Sequence, residues 1–311
     1  MADIKTEEGV VNVEAGINLY TKTWKTADTP KAILLFVHGF SDHCNAYGDF
    51  FPTLAGKGIE VRSFDQRGWG RSVTKPAERG LTGPTMRVLL DINRFVEEQL
   101  PTKGDVPMFL MGHSMGGQEV LCWASYAPVQ TRIRIRGYLV EAPFIALHAA
   151  TKPNPITVAL GRLAGKILPG RQMEVKLDEK LLSRDPAVQK AFVDDELCHD
   201  TATLQGLSNM LDRASALDTG KISIGRTAGE GRKTRIWLSH GNKDGVCDYT
   251  GTERVYKRLH AKDDKELKIY DGWFHKLHAE PSPDKETYAD DVANWIFARC
   301  GSLYDDVDDE P

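Results

Sequence analysis

The chain has little of what marks a nucleic-acid-binding or membrane-spanning protein. Its 311 residues carry 40 basic and 44 acidic side chains, a formal net charge of −4, and the basic residues are scattered along the sequence. Since nucleic acid is bound by basic patches, no nucleic-acid partner is expected. No window approaches the roughly 18 consecutive apolar residues that a membrane span requires. The first residues also lack a cationic segment followed by an apolar run, which predicts a cytoplasmic protein unless it binds a membrane surface.

Cysteine is scarce and unpaired in its spacing. The chain has five cysteines, an odd number, at Cys44, Cys122, Cys198, Cys247 and Cys300. Their spacing shows no pairs, so no disulfide framework is predicted. We expect reduced thiols in a reducing compartment.

Apolar runs alternate with amphipathic segments through most of the chain, and this rhythm predicts an α/β fold. Two alternating segments at the start predict an antiparallel edge, and six later runs predict parallel strands, for a mostly parallel eight-stranded sheet. The predicted strands are 9–13, 17–24, 33–37, 61–64, 108–111, 138–140, 235–239 and 267–270. The predicted helices between them are 45–55, 84–99, 115–126, 251–259 and 284–300.

The rhythm breaks between the sixth and seventh predicted strands. This stretch contains three helix-like pieces, 156–167, 185–193 and 201–216, and no convincing strand. We interpret it as a helical cap inserted over the carboxyl ends of the strands, where ligands bind in open α/β sheets. The predicted domains are 1–144 for the first part of the core, 145–232 for the cap, 233–303 for the second part of the core, and 304–311 for an acidic tail.

The first cap helix carries a broad apolar surface with two basic residues beside it. Two interpretations stay open: this surface packs against the core, or it faces lipid and guides an apolar substrate inward. The apolar residues are Ile156, Val158, Leu160, Leu163, Ile167 and Leu168, and the basic ones are Arg162 and Lys166.

A Gly-x-Ser-x-Gly motif lies between a buried strand and a helix. The residues are Gly112-His113-Ser114-Met115-Gly116. In a sharp strand-to-helix turn the central serine takes strained backbone angles, and only small neighbours two residues away avoid a collision. The motif therefore predicts Ser114 as a nucleophile. The alternative is an ordinary βα turn in which the serine only caps a helix.

An activated serine needs an imidazole to accept its proton and a carboxylate to orient that imidazole. Asp244 follows the strand 235–239, in HGNKDGVCD, with Asp248 as its nearest rival. His275 and His278 both follow the last strand, and His275 lies nearer to it. We predict Asp244 and His275 as the partners of Ser114. The pair of histidines is not a metal motif, because the glutamate of HExxH is absent and no ligand cluster accompanies it.

Two backbone amides are predicted to stabilise a developing oxyanion. One belongs to Met115, at the start of the helix after the nucleophile. The other belongs to Phe40, in the loop FVHGFSDH after the first parallel strand. His38 is interpreted as a structural residue of this loop. His113 is either part of the pocket wall or a direct substrate contact.

These motifs resemble the α/β-hydrolase superfamily and, within it, the monoacylglycerol lipases. The matching segments are HGFSDHCNAY, FDQRGWGRS, GHSMGG, HGNKDGVCD and GWFHKLHAE, which span most of the chain outside the cap. The resemblance implies a triad of Ser114, Asp244 and His275, oxyanion amides at Phe40 and Met115, a helical cap, no metal and no diffusible cofactor. The chain departs from some members in having Phe40 where they carry alanine, and its cap is too divergent to locate residues that hold the glycerol head group.

Three further residues lie near the expected head-group end, namely Asp42, His43 and Glu141, but each is more often a loop or edge residue. Cys247 and Cys198 are candidates for reaction with thiol reagents, although buried inert thiols are the commoner case.

The predicted function is a serine esterase that cleaves monoacylglycerols to a fatty acid and glycerol, with contact to a membrane or lipid-droplet surface through the cap. A lysophospholipase or general carboxylesterase is the main alternative, because the same triad serves many esters. A non-catalytic ligand receptor on the same scaffold is a further alternative. An epoxide hydrolase or dehalogenase is disfavoured, since these need a carboxylate in place of Ser114.

Overall fold

A twisted β-sheet runs through the part of the chain that the computed structural model describes, which is residues 4–100, 106–148, 154–260 and 262–301. The strands are β1 (Thr6–Glu14), β2 (Ile17–Trp24), β3 (Ala32–Val37), β4 (Ile59–Phe64), β5 (Met108–His113), β6 (Gly137–Glu141), β7 (Gln172–Glu174), β8 (Thr201–Thr203), β9 (Arg235–Gly241) and β10 (Asp264–Tyr270).

Eight of these strands form the main sheet in the order β1-β2-β4-β3-β5-β6-β9-β10. The pairs β1 with β2 and β2 with β4 are antiparallel, and every later pair is parallel. The prediction of six parallel strands behind an antiparallel edge is thus confirmed. Strands β3, β5 and β6 are buried along their whole length, as expected for strands covered on both faces.

Helices cover both faces of the sheet. Helices α2, α3 and α8 contribute to one apolar core, and α1 and α9 contribute to the other. The helices are α1 (Phe50–Gly56), α2 (Thr85–Gln99), α3 (Met115–Tyr126), α4 (Val129–Arg132), α5 (Pro155–Ile167), α6 (Pro186–Asp194), α7 (Leu204–Thr219), α8 (Tyr249–Arg258) and α9 (Asp284–Phe297). Helix α1 begins five residues later than predicted, because the residues just before it form turns and a bend.

The inserted segment contains the three expected helices, α5, α6 and α7, but the prediction that it has no strand is wrong. Strands β7 and β8 pair antiparallel, so residues 201–203, which were predicted as the start of a helix, are extended. The side-chain hydroxyl of Thr203 then caps α7 by accepting the N–H of Gly206 at 3.2 Å. Polar alternation over only three residues was too short to predict this strand.

The boundaries of the cap stay a prediction, and the acidic tail at 304–311 lies outside the described residues. The side chains of Ile156, Val158 and Leu160 also lie outside them, so only the end of the predicted apolar surface on α5 can be described.

Candidate active site

Ser114 sits at the strained turn between β5 and α3. Its backbone angles are φ 54° and ψ −117°, which a non-glycine residue rarely adopts. A Cβ atom on Gly112 would lie 2.3 Å from the carbonyl oxygen of Gly116, and one on Gly116 would lie 2.1 Å from that of Val37. Both glycines are therefore required for the turn to approach its neighbours, as the motif predicted.

The structure brings Ser114, His275 and Asp244 together in hydrogen-bond order, although they come from three separate parts of the chain. Nε2 of His275 lies 2.9 Å from Oγ of Ser114, and Nδ1 of His275 lies 2.6 Å from Oδ2 of Asp244. All three residues are buried. With Nδ1 donating to the carboxylate, Nε2 presents a lone pair to the serine hydroxyl, which is the arrangement that a general base needs.

Asp244 is held as a carboxylate. Its Oδ1 accepts the backbone N–H groups of Val246 and Cys247 at 2.8 and 2.9 Å, and its Oδ2 accepts from His275 and also from Nε2 of His240 at 2.9 Å. Burial by itself raises the pKa of this carboxyl, but the interactions with His275 and His240 outweigh burial and lower it well below its usual value.

His240 was not singled out from the sequence. It lies at the end of β9, four residues before Asp244, and its Nδ1 is 2.7 Å from Oγ1 of Thr252. The hydroxyl and the carboxylate together set the orientation of its ring, so His240 is a positioning residue for Asp244. A histidine at the end of a strand next to the acid loop is the signal that could have found it.

The rival residues occupy other places. The side chain of Asp248 caps α8 by accepting the N–H of Thr250 at 2.9 Å. His278 contacts Glu141 through its Nδ1 at 2.7 Å. Nδ1 of His38 bonds the carbonyl oxygen of Gly39, and its Nε2 accepts the N–H of Gln66, so it supports the loop.

The loop of Phe40 lies directly beside the nucleophile. A Cβ atom on Gly39 would be 3.2 Å from Cβ of Ser114, which is a tight contact, so a side chain here would push the loop and the nucleophile slightly apart. Phe40 and Met115 both line the same cavity as Ser114. Met115 is the first residue of α3, where unpaired N–H groups and the helix dipole favour negative charge.

A cavity of about 750 Å³ opens above Ser114, between the sheet and the cap. This volume lies within the usual range of about 300 to 1,000 Å³ for small-molecule sites. Most of its wall is apolar and comes from the cap and the loops below it. The apolar lining includes Phe40, Phe144, Leu147, Met173, Val175, Leu177, Leu181, Leu182, Phe192, Leu204, Leu207, Met210, Leu211 and Val246.

A buried ion pair forms the polar part of the wall. Nζ of Lys276 lies 3.1 Å from Oδ2 of Asp42, and both residues line the cavity. Burial alone would raise the pKa of Asp42 and lower that of Lys276, yet their attraction shifts both pKa values the other way, so both groups stay charged. Lys276 was not predicted as a site residue. Its position next to His275 was the available signal.

Nε2 of His43 lies 2.8 Å from Oδ2 of Asp195, which is in the segment predicted as the cap, and this contact ties that segment to the loop after β3. His113 lines the cavity, and burial together with nearby histidines lowers its pKa well below the usual value, so its ring is neutral. Burial also raises the pKa of the Cys247 and Cys198 thiols, which makes both poor nucleophiles.

Comparison with known proteins gives consistent matches over most of the chain. Residues 28–282 match the family Hydrolase_4, described as serine aminopeptidase, S33. A protein of Schizosaccharomyces pombe named "Putative monoglyceride lipase" is 33% identical over 282 residues, which are 90% of this chain and 71% of that protein. A monoacylglycerol lipase structure from Paleococcus ferrophilus gives a TM-score of 0.75 at 27% identity, covering 90% of this chain and 99% of that one. The structure of a soluble variant of Saccharomyces cerevisiae monoglyceride lipase in complex with a substrate analog gives a TM-score of 0.84 at 24% identity. It covers 96% of this chain and 98% of that one.

Proposed function

The chain belongs to the Hydrolase_4 family and has the α/β-hydrolase fold, and from this premise we propose that it is a carboxylic ester hydrolase that cleaves monoacylglycerols to free fatty acid and glycerol. One observation carries the proposal most directly. Ser114, His275 and Asp244 form a continuous hydrogen-bonded series at the floor of a large apolar cavity. Relatives named "Putative monoglyceride lipase" and "Monoacylglycerol lipase" support this choice of substrate.

In the first half of the reaction, Oγ of Ser114 attacks the ester carbonyl carbon while Nε2 of His275 accepts the serine proton. Asp244 holds the ring in the required tautomer and stabilises the imidazolium that forms. The backbone amides of Phe40 and Met115 are the proposed donors to the oxyanion. As the tetrahedral intermediate collapses, the bond to glycerol breaks and His275 gives its proton to the leaving oxygen.

In the second half, His275 takes a proton from water, and the hydroxide attacks the acyl-Ser114 carbonyl. The serine leaves with the proton returned by His275, and the free fatty acid is released. The acyl chain lies in the apolar cavity below the cap, since transfer of its methylene groups from water to apolar surroundings contributes roughly 0.8 kcal/mol each.

The direct test is oleate release from monoolein, diolein and lysophosphatidylcholine by the wild-type protein and by Ser114→Ala. Selective hydrolysis of monoolein that is abolished by the substitution supports the proposal. Equal or greater turnover of the phospholipid would keep the triad but reject the substrate. If a fluorophosphonate probe failed to label Ser114, the serine hydrolase assignment itself would be wrong.

The end of helix α5 supports a second element of the proposal, contact with a lipid surface. Leu163, Ile167 and Leu168 are 56%, 70% and 57% exposed, and Lys166 is exposed beside them. Exposed apolar residues next to a cation favour the interface of a bilayer. This helix also contributes Gly161 and other residues to the cavity wall, so an apolar substrate has a short path from the surface to the cavity. No helix among the described residues is long and apolar enough to cross a membrane.

Sedimentation with vesicles of phosphatidylcholine and phosphatidylserine tests this contact. Ile167→Asp should reduce the bound fraction severalfold, because a charge replaces an apolar anchor. Val129→Asp is the matched control, since Val129 is 58% exposed on the core helix α4, and it should bind as the wild type does. Equal loss in both variants, or in neither, would reject a specific role for α5.

A further inference from the structure

Three buried side chains beside the nucleophile form a cluster that ester hydrolysis does not use. They are His113, Glu141 and His278, and at most 3% of each is exposed. Nδ1 of His278 lies 2.7 Å from Oε1 of Glu141, and the backbone N–H of His278 donates to the same oxygen at 3.2 Å. The cluster joins the end of β5, where His113 precedes Ser114, to the end of β6 and to the loop after β10.

Each member of the cluster has a buried polar atom without a hydrogen-bond partner among the described residues, namely Nδ1 of His113, Oε2 of Glu141 and Nε2 of His278. Such atoms are rare in folded proteins, and three in one cluster indicate that something else satisfies them. Nδ1 of His113 lies 3.7 Å from Oε2 of Glu141, which is too long for a hydrogen bond.

That separation resembles the spacing of two ligands on one metal ion. At metal–ligand distances of about 2.0 to 2.1 Å, two ligands of tetrahedral zinc are roughly 3.3 Å apart. One ligand atom from each of His113, Glu141 and His278 lies within 4.8 Å of the other two. These separations are near those of ligands on one ion, which the side chains would reach by exchanging the hydrogen bond between Glu141 and His278 for bonds to the metal.

The charge of the cluster also favours a cation. Glu141 is fully buried, and the ion-pair partners that the described part of the chain provides are His113 and His278. Lys276 interacts electrostatically with Glu141, but its ammonium is already paired with Asp42 at 3.1 Å. A buried carboxylate without a fixed positive partner is costly, and a divalent ion would remove that cost.

We propose that His113, Glu141 and His278 bind Zn²⁺ and that the bound ion reversibly inhibits the enzyme. Two imidazoles and one carboxylate form a recurrent zinc ligand set. An ion would arrive from the cavity, because His113 lines it, and the His113 ring must turn for its buried Nδ1 to meet the ion. The inhibitory effect rests on the proposed function, while the binding itself does not.

Inhibition follows from the distance to the catalytic base. The ring centres of His113 and His275 are 4.8 Å apart. Catalysis requires His275 to become positively charged, and a dication held by the neighbouring ring opposes that charge. Zinc should therefore lower kcat more than it raises KM.

Binding is measured first, by competition with a chromophoric zinc chelator, on the full chain carrying Ser114→Ala. One zinc per chain is expected, and His278→Phe should weaken it at least tenfold. Phenylalanine fits this place because the ring of His278 packs against Tyr47 and Phe50. His43→Gln is the matched control and should leave this zinc affinity unchanged. It removes a ligand from a different group with metal-ligand spacing, which His43 forms with Asp195 and Cys198.

Inhibition is then measured with a soluble nitrophenyl ester. Zinc should reduce wild-type turnover at least tenfold, and EDTA should restore it fully. His278→Phe should need at least tenfold more zinc for the same inhibition. Its rate without zinc should stay within about threefold of the wild type. If His278→Phe does not fold, Glu141→Gln replaces it with the same expectations for zinc binding. Absence of a stoichiometric zinc, or zinc binding unchanged by these substitutions, would overturn the proposal. An inactive zinc-free wild type would refute the proposed function instead.

Discussion

Replacing Asp244 by asparagine should abolish most activity without unfolding the protein. The carboxylate accepts four hydrogen bonds, two from the backbone N–H groups of Val246 and Cys247 and two from the rings of His275 and His240. An asparagine has one oxygen. When that oxygen stays on the backbone donors, its amide N–H groups face the two histidine rings.

His275 must then turn its Nδ1 lone pair toward the amide and carry its proton on Nε2, which faces Ser114. In this tautomer His275 cannot accept the serine proton. The corresponding substitution in serine protease triads lowers kcat about 10⁴-fold. A loss of this size corresponds to about 5.4 kcal/mol of transition-state stabilisation.

The assay compares kcat/KM of wild type, Asp244→Asn and Asp248→Asn for a nitrophenyl ester and for monoolein, with Ser114→Ala as background. Asp248→Asn is the matched control, because Asp248 only caps α8 and asparagine caps helices about as well as aspartate does. Its activity should stay within about twofold, and thermal melting should show that all variants fold. More than a tenth of wild-type activity in Asp244→Asn would refute this account of the triad.

Three further predictions concern stability. Gly116→Ala should unfold the protein or lower its free energy of unfolding by several kcal/mol, since its Cβ would lie 2.1 Å from a strand carbonyl oxygen. Gly161→Ala, whose Cβ would meet nothing within 4 Å, should be neutral or raise that free energy by up to about 1 kcal/mol. Thermal melts measure both. Lys276→Met should lower the free energy of unfolding, measured by urea titration, by about 3 to 5 kcal/mol, because it leaves Asp42 buried and unpaired. The double variant Lys276→Met/Asp42→Asn should recover most of that loss. Burial lowers the pKa of His199 to about 4, so its contribution to stability should be lost as pH falls from about 6.5 to 4, and His199→Phe should show a smaller loss over that window.

Each of these three has a result that contradicts it. Equal melting temperatures for the two glycine variants would show that the turn has room for a Cβ atom. No recovery in the double variant would show that Asp42 is not the reason that Lys276 matters. The sign for His199 follows from a neutral ring in the folded state and a ring that protonates below about pH 6.5 in the unfolded chain. A pH dependence as steep in His199→Phe as in the wild type would assign the acid sensitivity to other groups.

Local sequence patterns predicted the sheet well, because a buried parallel strand is an apolar run and a helix has its own period. The run 108–111 became β5 (Met108–His113), and 115–126 is α3 as predicted. The pattern failed at residues 201–203, where pairing with β7 overrides local preference. A three-residue strand depends on its partner across the cap, and that partner cannot be read from the strand itself.

The sequence by itself determined the Gly-x-Ser-x-Gly motif, and it led to the predicted order of acid and base and to the proposed choice of Asp244 over Asp248, because these rest on spacing relative to strands. Only the tertiary structure decided what surrounds them. Lys276 faces Asp42, His240 supports Asp244, and Glu141 lies between two histidines, through contacts between residues that are 4 to 234 positions apart in the chain. Burial and distance set the charge and reactivity of such groups, and neither exists until the sheet and the cap have closed around them.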